Sequence, residues 1–121
     1  MGGNFKQLKV WQAGMELVFS IYAVTAKFPK DELYGLVSQM RGAAVSIVSN
    51  IAEGKGRTTD KELAHFLSNS RGSLRELETQ VLVASHLHYF NDEEGQALLA
   101  KIEEISRMLS GLINFVTNTP S

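Results

Sequence analysis

The 121 residues contain no cysteine. That excludes disulfides, thiolate metal ligands and cysteine nucleophiles, and it fits a reducing cytosol. Only two prolines occur, Pro29 and Pro120, so long helices are allowed between them. No apolar run approaches the roughly 18 residues of a membrane span, and no membrane partner is expected. The start, Met1-Gly2-Gly3-Asn4-Phe5-Lys6, lacks the apolar core of a signal peptide. Lys6 stands where a myristoylation motif carries Ser or Thr. Neither sign of charge is in surplus: 12 Lys+Arg against 13 Asp+Glu give a formal net charge of -1. That balance argues against an obligate nucleic-acid binder. A single cytoplasmic domain is expected, and at this length one core forms without metal or disulfide staples.

What is present is helical periodicity. The first helix is expected over about 8–27, with Trp11, Met15, Val18, Phe19, Tyr22 and Ala26 as its apolar stripe and Phe28-Pro29 as its stop. The second covers about 34–53, with Val37, Met40, Ala44, Ile47 and Ile51 facing the core and Gly54 and Gly56 supplying stop and turn. The third covers about 59–90. Thr59-Asp60-Lys61-Glu62 reads as a reciprocal capping box, and Leu63, Leu67, Ser70, Leu74, Leu77, Val81, Ala84 and His88 follow 4-3 spacing. The fourth covers about 92–117, capped by Asn91 with Glu94, on Leu98, Ile102, Ile105, Leu109, Leu112 and Val116. The tail Asn118-Thr119-Pro120-Ser121 is expected to be mobile. Short connections predict an all-α, antiparallel up-down-up-down four-helix bundle.

The motifs Phe5-Lys6-x-Leu8-x-Val10-Trp11-Gln12, Phe28-Pro29-x-x-Glu32-x-Tyr34-Gly35-Leu36, Gln39-x-Arg41-x-Ala43-Ala44-x-Ser46-Ile47, Asn50-Ile51-Ala52-Glu53-Gly54-x-Gly56-Arg57, Phe66-Leu67 and Gly72-Ser73-Leu74-x-Glu76-x-Glu78 form one pattern. With them, the sequence resembles the bacterial four-helix-bundle proteins first noted as open reading frames in intervening sequences of large-subunit ribosomal RNA genes. That family is similar to the accessory variability protein of diversity-generating retroelements. The resemblance implies a homopentameric, barrel-like ring, a suspected affinity for RNA and no established enzymatic activity. The retroelement members are markedly basic and bind nucleic acid and a reverse transcriptase. This chain departs from them in being slightly acidic.

Candidate chemistry is thin. Gly54-Lys55-Gly56-Arg57-Thr58-Thr59 lacks the glycine five residues before the Gly-Lys pair that a phosphate loop needs, because Ser49 stands there, and the element before it is helical. Glu62-x-x-His65 is half of a carboxylate-bridged di-iron motif, but no second copy exists. His86 and His88, two apart on a helix, would point in different directions. No metal, cofactor or catalytic residue is expected, and Ser46, Ser70, Ser73 and His65 follow no nucleophile-elbow pattern.

Two surfaces remain. Arg41, Ser46, Asn50, Glu53, Arg75, Glu76 and Glu78 suggest a polar network between the second and third helices, or between subunits. Gly42, Ala43, Gly72 and Ser73 suggest close helix approach, within the chain or across a ring interface. With alternating helix directions, Lys6, Lys9, Lys55, Arg57 and Lys61 share one end with Glu53, Asp60 and Glu62, five against three. A ring would repeat that excess around its rim and attract a polyanion. The expected function is a non-enzymatic homo-oligomeric assembly or adaptor protein with weak RNA or DNA binding at that rim. The alternative is a scaffold for an unidentified protein without nucleic-acid binding.

Overall fold

The computed structural model describes residues 4–118, among which there are four α-helices and no strand. A 3-10 turn at Phe5–Gln7 is capped by Asn4, whose side chain accepts the Lys6 amide. Helix α1 follows at Lys9–Thr25. It buries Val10, Ala13, Leu17, Ile21 and Val24, which is not the expected stripe. Of the expected set only Val18 is buried. Trp11 and Met15 are half-buried, and Phe19, Tyr22 and Ala26 are exposed. The physical reason is visible at Gly14: a Cβ there would stand 2.7 Å from Val48 Cγ1. An approach that close suits small and aliphatic side chains, and the aromatic side of α1 is left outward.

The last turn of α1 tightens through Lys27 N–H to Val24 O (3.2 Å) and Phe28 N–H to Thr25 O (3.1 Å) before Pro29. A 3-10 turn at Lys30–Glu32 and a wide helical turn at Leu33–Val37 come next, with Gly35 at non-helical angles. Regular helix α2 therefore spans Ser38–Lys55 and begins four residues later than expected. Its core stripe of Met40, Ala44, Ile47 and Ile51, preceded by Val37, is buried as predicted. Gly54 does not stop the helix. It lies inside the last turn of α2 because α3 crosses closely there.

Helix α3 spans Asp60–His86. The Thr59 hydroxyl accepts the Glu62 amide at 3.1 Å, while the Glu62 carboxylate takes the Thr59 hydroxyl proton instead of its amide, so the expected box is only half formed. Leu67, Ser70, Leu74, Leu77, Val81 and Ala84 form the predicted buried seam, and Leu63 is half-buried. The helix ends four residues early. His88 turns left-handed (φ 61), its amide bonds to Ser85 O, and the Tyr89 amide bonds to Ala84 O. That is the bonding of a Schellman cap with histidine where glycine is usual. His88 is thus off the helix and exposed, not part of the seam.

Helix α4 spans Asp92–Asn118. Here the cap is reciprocal: Glu94 N–H to Asn91 Oδ1 at 2.8 Å and Asn91 N–H to Glu94 Oε1 at 3.1 Å. Leu98, Ile102, Ile105, Leu109 and Val116 are buried as expected, but Ile113 takes the place predicted for Leu112, which is half-buried. Of the tail expected to be mobile, Asn118 is helical and 119–121 lie outside the described residues, as do 1–3.

Helix α2 packs along α3, α3 along α4, and α1 against both α2 and α4. One continuous core results, centred on fully buried Leu17, Ile21, Met40, Ile47, Leu74, Leu77 and Ile105. Each such side chain contributes about 1.5–3 kcal/mol by leaving water. No helix among the described residues is long and apolar enough to cross a membrane.

Candidate functional site

The α2–α3 contact holds a compact hydroxyl and amide cluster. Ser46 Oγ and Ser73 Oγ are 2.7 Å apart. Asn50 Nδ2 donates to Ser46 O at 2.8 Å and to Ser46 Oγ at 3.1 Å. Helical spacing makes this possible, because residues four apart stack on one face. Three residues before Ser73, the seam position Ser70 donates its hydroxyl to the buried Ile47 carbonyl at 2.8 Å. A serine replaces an aliphatic side chain in the core because a carbonyl of α2 is within reach.

Arg41 belongs to a different contact. Its Nε donates to Thr25 Oγ1 at 2.9 Å, its Nη2 to Tyr22 O at 3.3 Å, and its guanidinium carbon lies 4.5 Å above the Tyr22 ring. Arginine here meets carbonyl and hydroxyl groups at the end of α1, where a cation also complements the helix dipole. The predicted α2–α3 network therefore does not include Arg41 within the chain. Glu53 pairs with Arg57, whose guanidinium lies 4.8 Å above the Phe66 ring. Among the described residues, the side chains of Arg75, Glu76 and Glu78 make no hydrogen bond or ion pair.

The small residues divide. Ala43 is buried in the core, and Ser73 is half-buried against Ser46 at the α2–α3 contact. Gly42 and Gly72 are exposed, with no heavy atom within 4 Å of where a Cβ would stand. Close approach within the chain occurs at Gly14, Gly54 and Gly95 instead. Sequence spacing alone does not say which glycine faces a neighbour.

The basic residues lie near one another in part. The Phe5–Gln7 turn packs against α2, and Gln12 Nε2 holds Lys6 O at 2.9 Å. Lys55 ends α2, Arg57 lies in the connection and Lys61 is in the first turn of α3. Of the five, only Arg57 forms an ion pair among the described residues. His65 stands with its ring edge toward Phe66 and Nε2 3.4 Å from Asn69 Nδ2. No group of three or more His, Asp or Glu side chains converges as a metal site among the described residues.

Two charged contacts clasp the connections. The Tyr89 hydroxyl donates to Glu32 Oε2 at 2.8 Å, and that carboxylate, chiefly by accepting the bond, pushes the phenol above its ordinary value. Lys27 Nζ lies 2.5 Å from Glu94 Oε2, and this bond, with the Asn91 amide, holds the Glu94 carboxyl below its ordinary value. Lys101, beside Glu16 at 2.6 Å and Glu104 at 3.3 Å, is raised chiefly by its bond to Glu16. A shallow groove of about 520 Å³ opens between α1 and α2, lined by Tyr22, Tyr34, Arg41, Gly42 and Val45 among others. The signal for it was the aromatic stripe of α1, read as core.

The 23S rRNA-intervening sequence protein family matches residues 6–111. None of the curated proteins matches the chain. A crystal structure of a protein of unknown function from Bacteroides thetaiotaomicron VPI-5482, described as of the S23 ribosomal protein family, is similar in fold. It has 18% identity and a TM-score of 0.78, over 86% of this chain and 97% of that one.

Proposed function

We propose a function from one premise: the chain belongs to the 23S rRNA-intervening sequence protein family. On our reading it is a non-enzymatic, cytoplasmic assembly protein that forms a homopentameric ring and binds RNA or DNA weakly at a basic rim. The observation that carries the rim is the set Lys6, Lys9, Lys55 and Lys61, which form no ion pair among the described residues. Unpaired cations remain available to phosphates, and a ring multiplies them. An up-down-up-down course brings the five basic positions to one end. Its support is that Lys27, just past the end of α1, pairs with Glu94, early in α4, while Glu16 within α1 pairs with Lys101 further along α4. We extend the reading to a likeness with the accessory variability protein of diversity-generating retroelements, on the sequence motifs alone.

Light scattering should give a mass of about five times 13.3 kDa. Replacing Lys55, Arg57 and Lys61 by Glu should abolish retention on RNA at low salt while helicity and oligomer mass stay unchanged. Wild-type protein with no RNA or DNA retention at about 50 mM salt, where phosphate contacts are strongest, defeats the rim. The exposed apolar side chains Phe19, Leu82, Val83 and Phe115 favour the second reading, a protein-binding scaffold. A ring that ignores nucleic acid would leave that reading in place.

A further inference from the structure

Two outward faces of the chain carry apolar side chains that are exposed among the described residues. The first spans α1, α2 and the turn between them. Phe19 is 63% exposed and Tyr34 93%, with Tyr22 and Val45 beside them. Helix α1 is apolar on its outer as well as its inner side, and a helix of that kind is ordinarily buried all round. The polar atoms of this face are donors. Among the described residues the Arg41 guanidinium meets a hydroxyl, a carbonyl and a ring but no carboxylate. The Tyr22 and Tyr34 hydroxyls make no hydrogen bond among the described residues.

The second face is on α3. Glu76, Gln80, Val83 and Leu87 follow 4-3-4 spacing, which places them on one side of the helix. Val83 and Leu87 are exposed. The charged group of this stripe is the Glu76 carboxylate, an acceptor. Glu76 has no cation partner among the described residues. Gln80 is only 7% exposed, and its Oε1 is buried without a hydrogen bond. A buried carbonyl left without a donor is costly, so the fold around Gln80 is strained at the root of this face. Arg75 flanks this stripe on the side of Leu82, seven residues on.

Resting on the ring reading, we infer that the α1–α2 face of one copy seats on the α3 face of the next copy. Both halves of the complementary pair lie on one chain, and a net charge of -1 leaves the copies without strong repulsion. Paired with itself, the first face brings two copies of the Arg41 guanidinium and no carboxylate of the face to one contact, and the second brings two copies of the Glu76 carboxylate, so each is less complementary than the two faces together. Head-to-tail seating joins guanidinium and phenol donors to carboxylate and amide acceptors, and such contacts repeat until a ring closes.

Two surface variants of the full chain test the seating. Phe19→Asp spoils only the first face and Val83→Asp only the second, and both positions are exposed, so helicity should be kept. By light scattering, wild type should be the oligomer and each variant alone a monomer of 13.3 kDa. An equal mixture of the two retains one intact contact, Val83→Asp through its first face on the second face of Phe19→Asp. It should therefore give a species of about twice the monomer mass and nothing larger. A mixture that stays monomeric overturns the head-to-tail pairing. Either variant alone at full oligomer mass overturns this surface and leaves the ring reading standing. A monomeric wild type defeats both.

Discussion

Gly54 of α2 stands so close to Phe66 of α3 that a Cβ in its place would lie 2.8 Å from Phe66 Cβ and 3.2 Å from Leu63 Cδ1. The obstructing atom is the root of a side chain, so rotamer changes do not relieve it. Gly54→Ala should therefore destabilise by about 1–3 kcal/mol, as overpacked sites do. Gly72→Ala provides the contrast. Its site is open and helical, so the change should stabilise the fold by about 0.5–1 kcal/mol. Urea unfolding of the pair checks both signs.

Leu74 is 2% exposed in the middle of the α3 seam. Leu74→Ala should cost about 2–5 kcal/mol, the range for a core leucine whose surroundings cannot collapse fully. A loss under about 0.5 kcal/mol, as at surface positions, would contradict the register of α3.

Glu94 sets an acid-side dependence. Its folded value is depressed below the ordinary 4.5 by the bonds to Lys27 and the Asn91 amide. Its contribution is therefore fully present above that ordinary value and is lost as the pH falls through the folded one. Urea midpoints should fall as the pH drops below that ordinary value. Glu94→Gln keeps an oxygen for the Asn91 amide but loses the charge, so this variant should show a shallower fall. An unchanged pH profile would mean the Lys27 contact adds nothing in solution.

The helices, the α2 stripe and most of the α3 and α4 seams were legible because apolar and polar residues separate cleanly at helical spacing there. In α1 they do not. Trp11, Met15, Phe19 and Tyr22 form as regular a stripe as Val10, Leu17, Ile21 and Val24, and only the contact of Gly14 with Val48 decides between them. The end of α3 was illegible for another reason. His88 adopts the conformation that a glycine would have advertised. Around the candidate surfaces, Ser46 and Ser73 could be placed on facing helices from sequence. The partner of Arg41 could not, since Thr25 lies sixteen residues away on a helix whose orientation was misread. Gln80 gave no signal at all, because an isolated glutamine in a heptad pattern looks like an ordinary surface residue.

The clasp between the two other connections gives the molecule a fast and a slow end. Phe28 packs on Tyr89 and Phe90, Tyr89 holds Glu32, and Lys27 holds Glu94, so opening either of these connections must break the other as well. Among the described residues the connection from Gly56 to Thr59 has no such partner: Arg57 reaches Glu53 and Phe66 in the helices it joins. Local opening costs least where fewest contacts are given up. A trypsin-like protease, which cuts after Lys or Arg in chain that has come loose, accordingly meets Lys55, Arg57 and Lys61 first and divides the molecule into two helical halves.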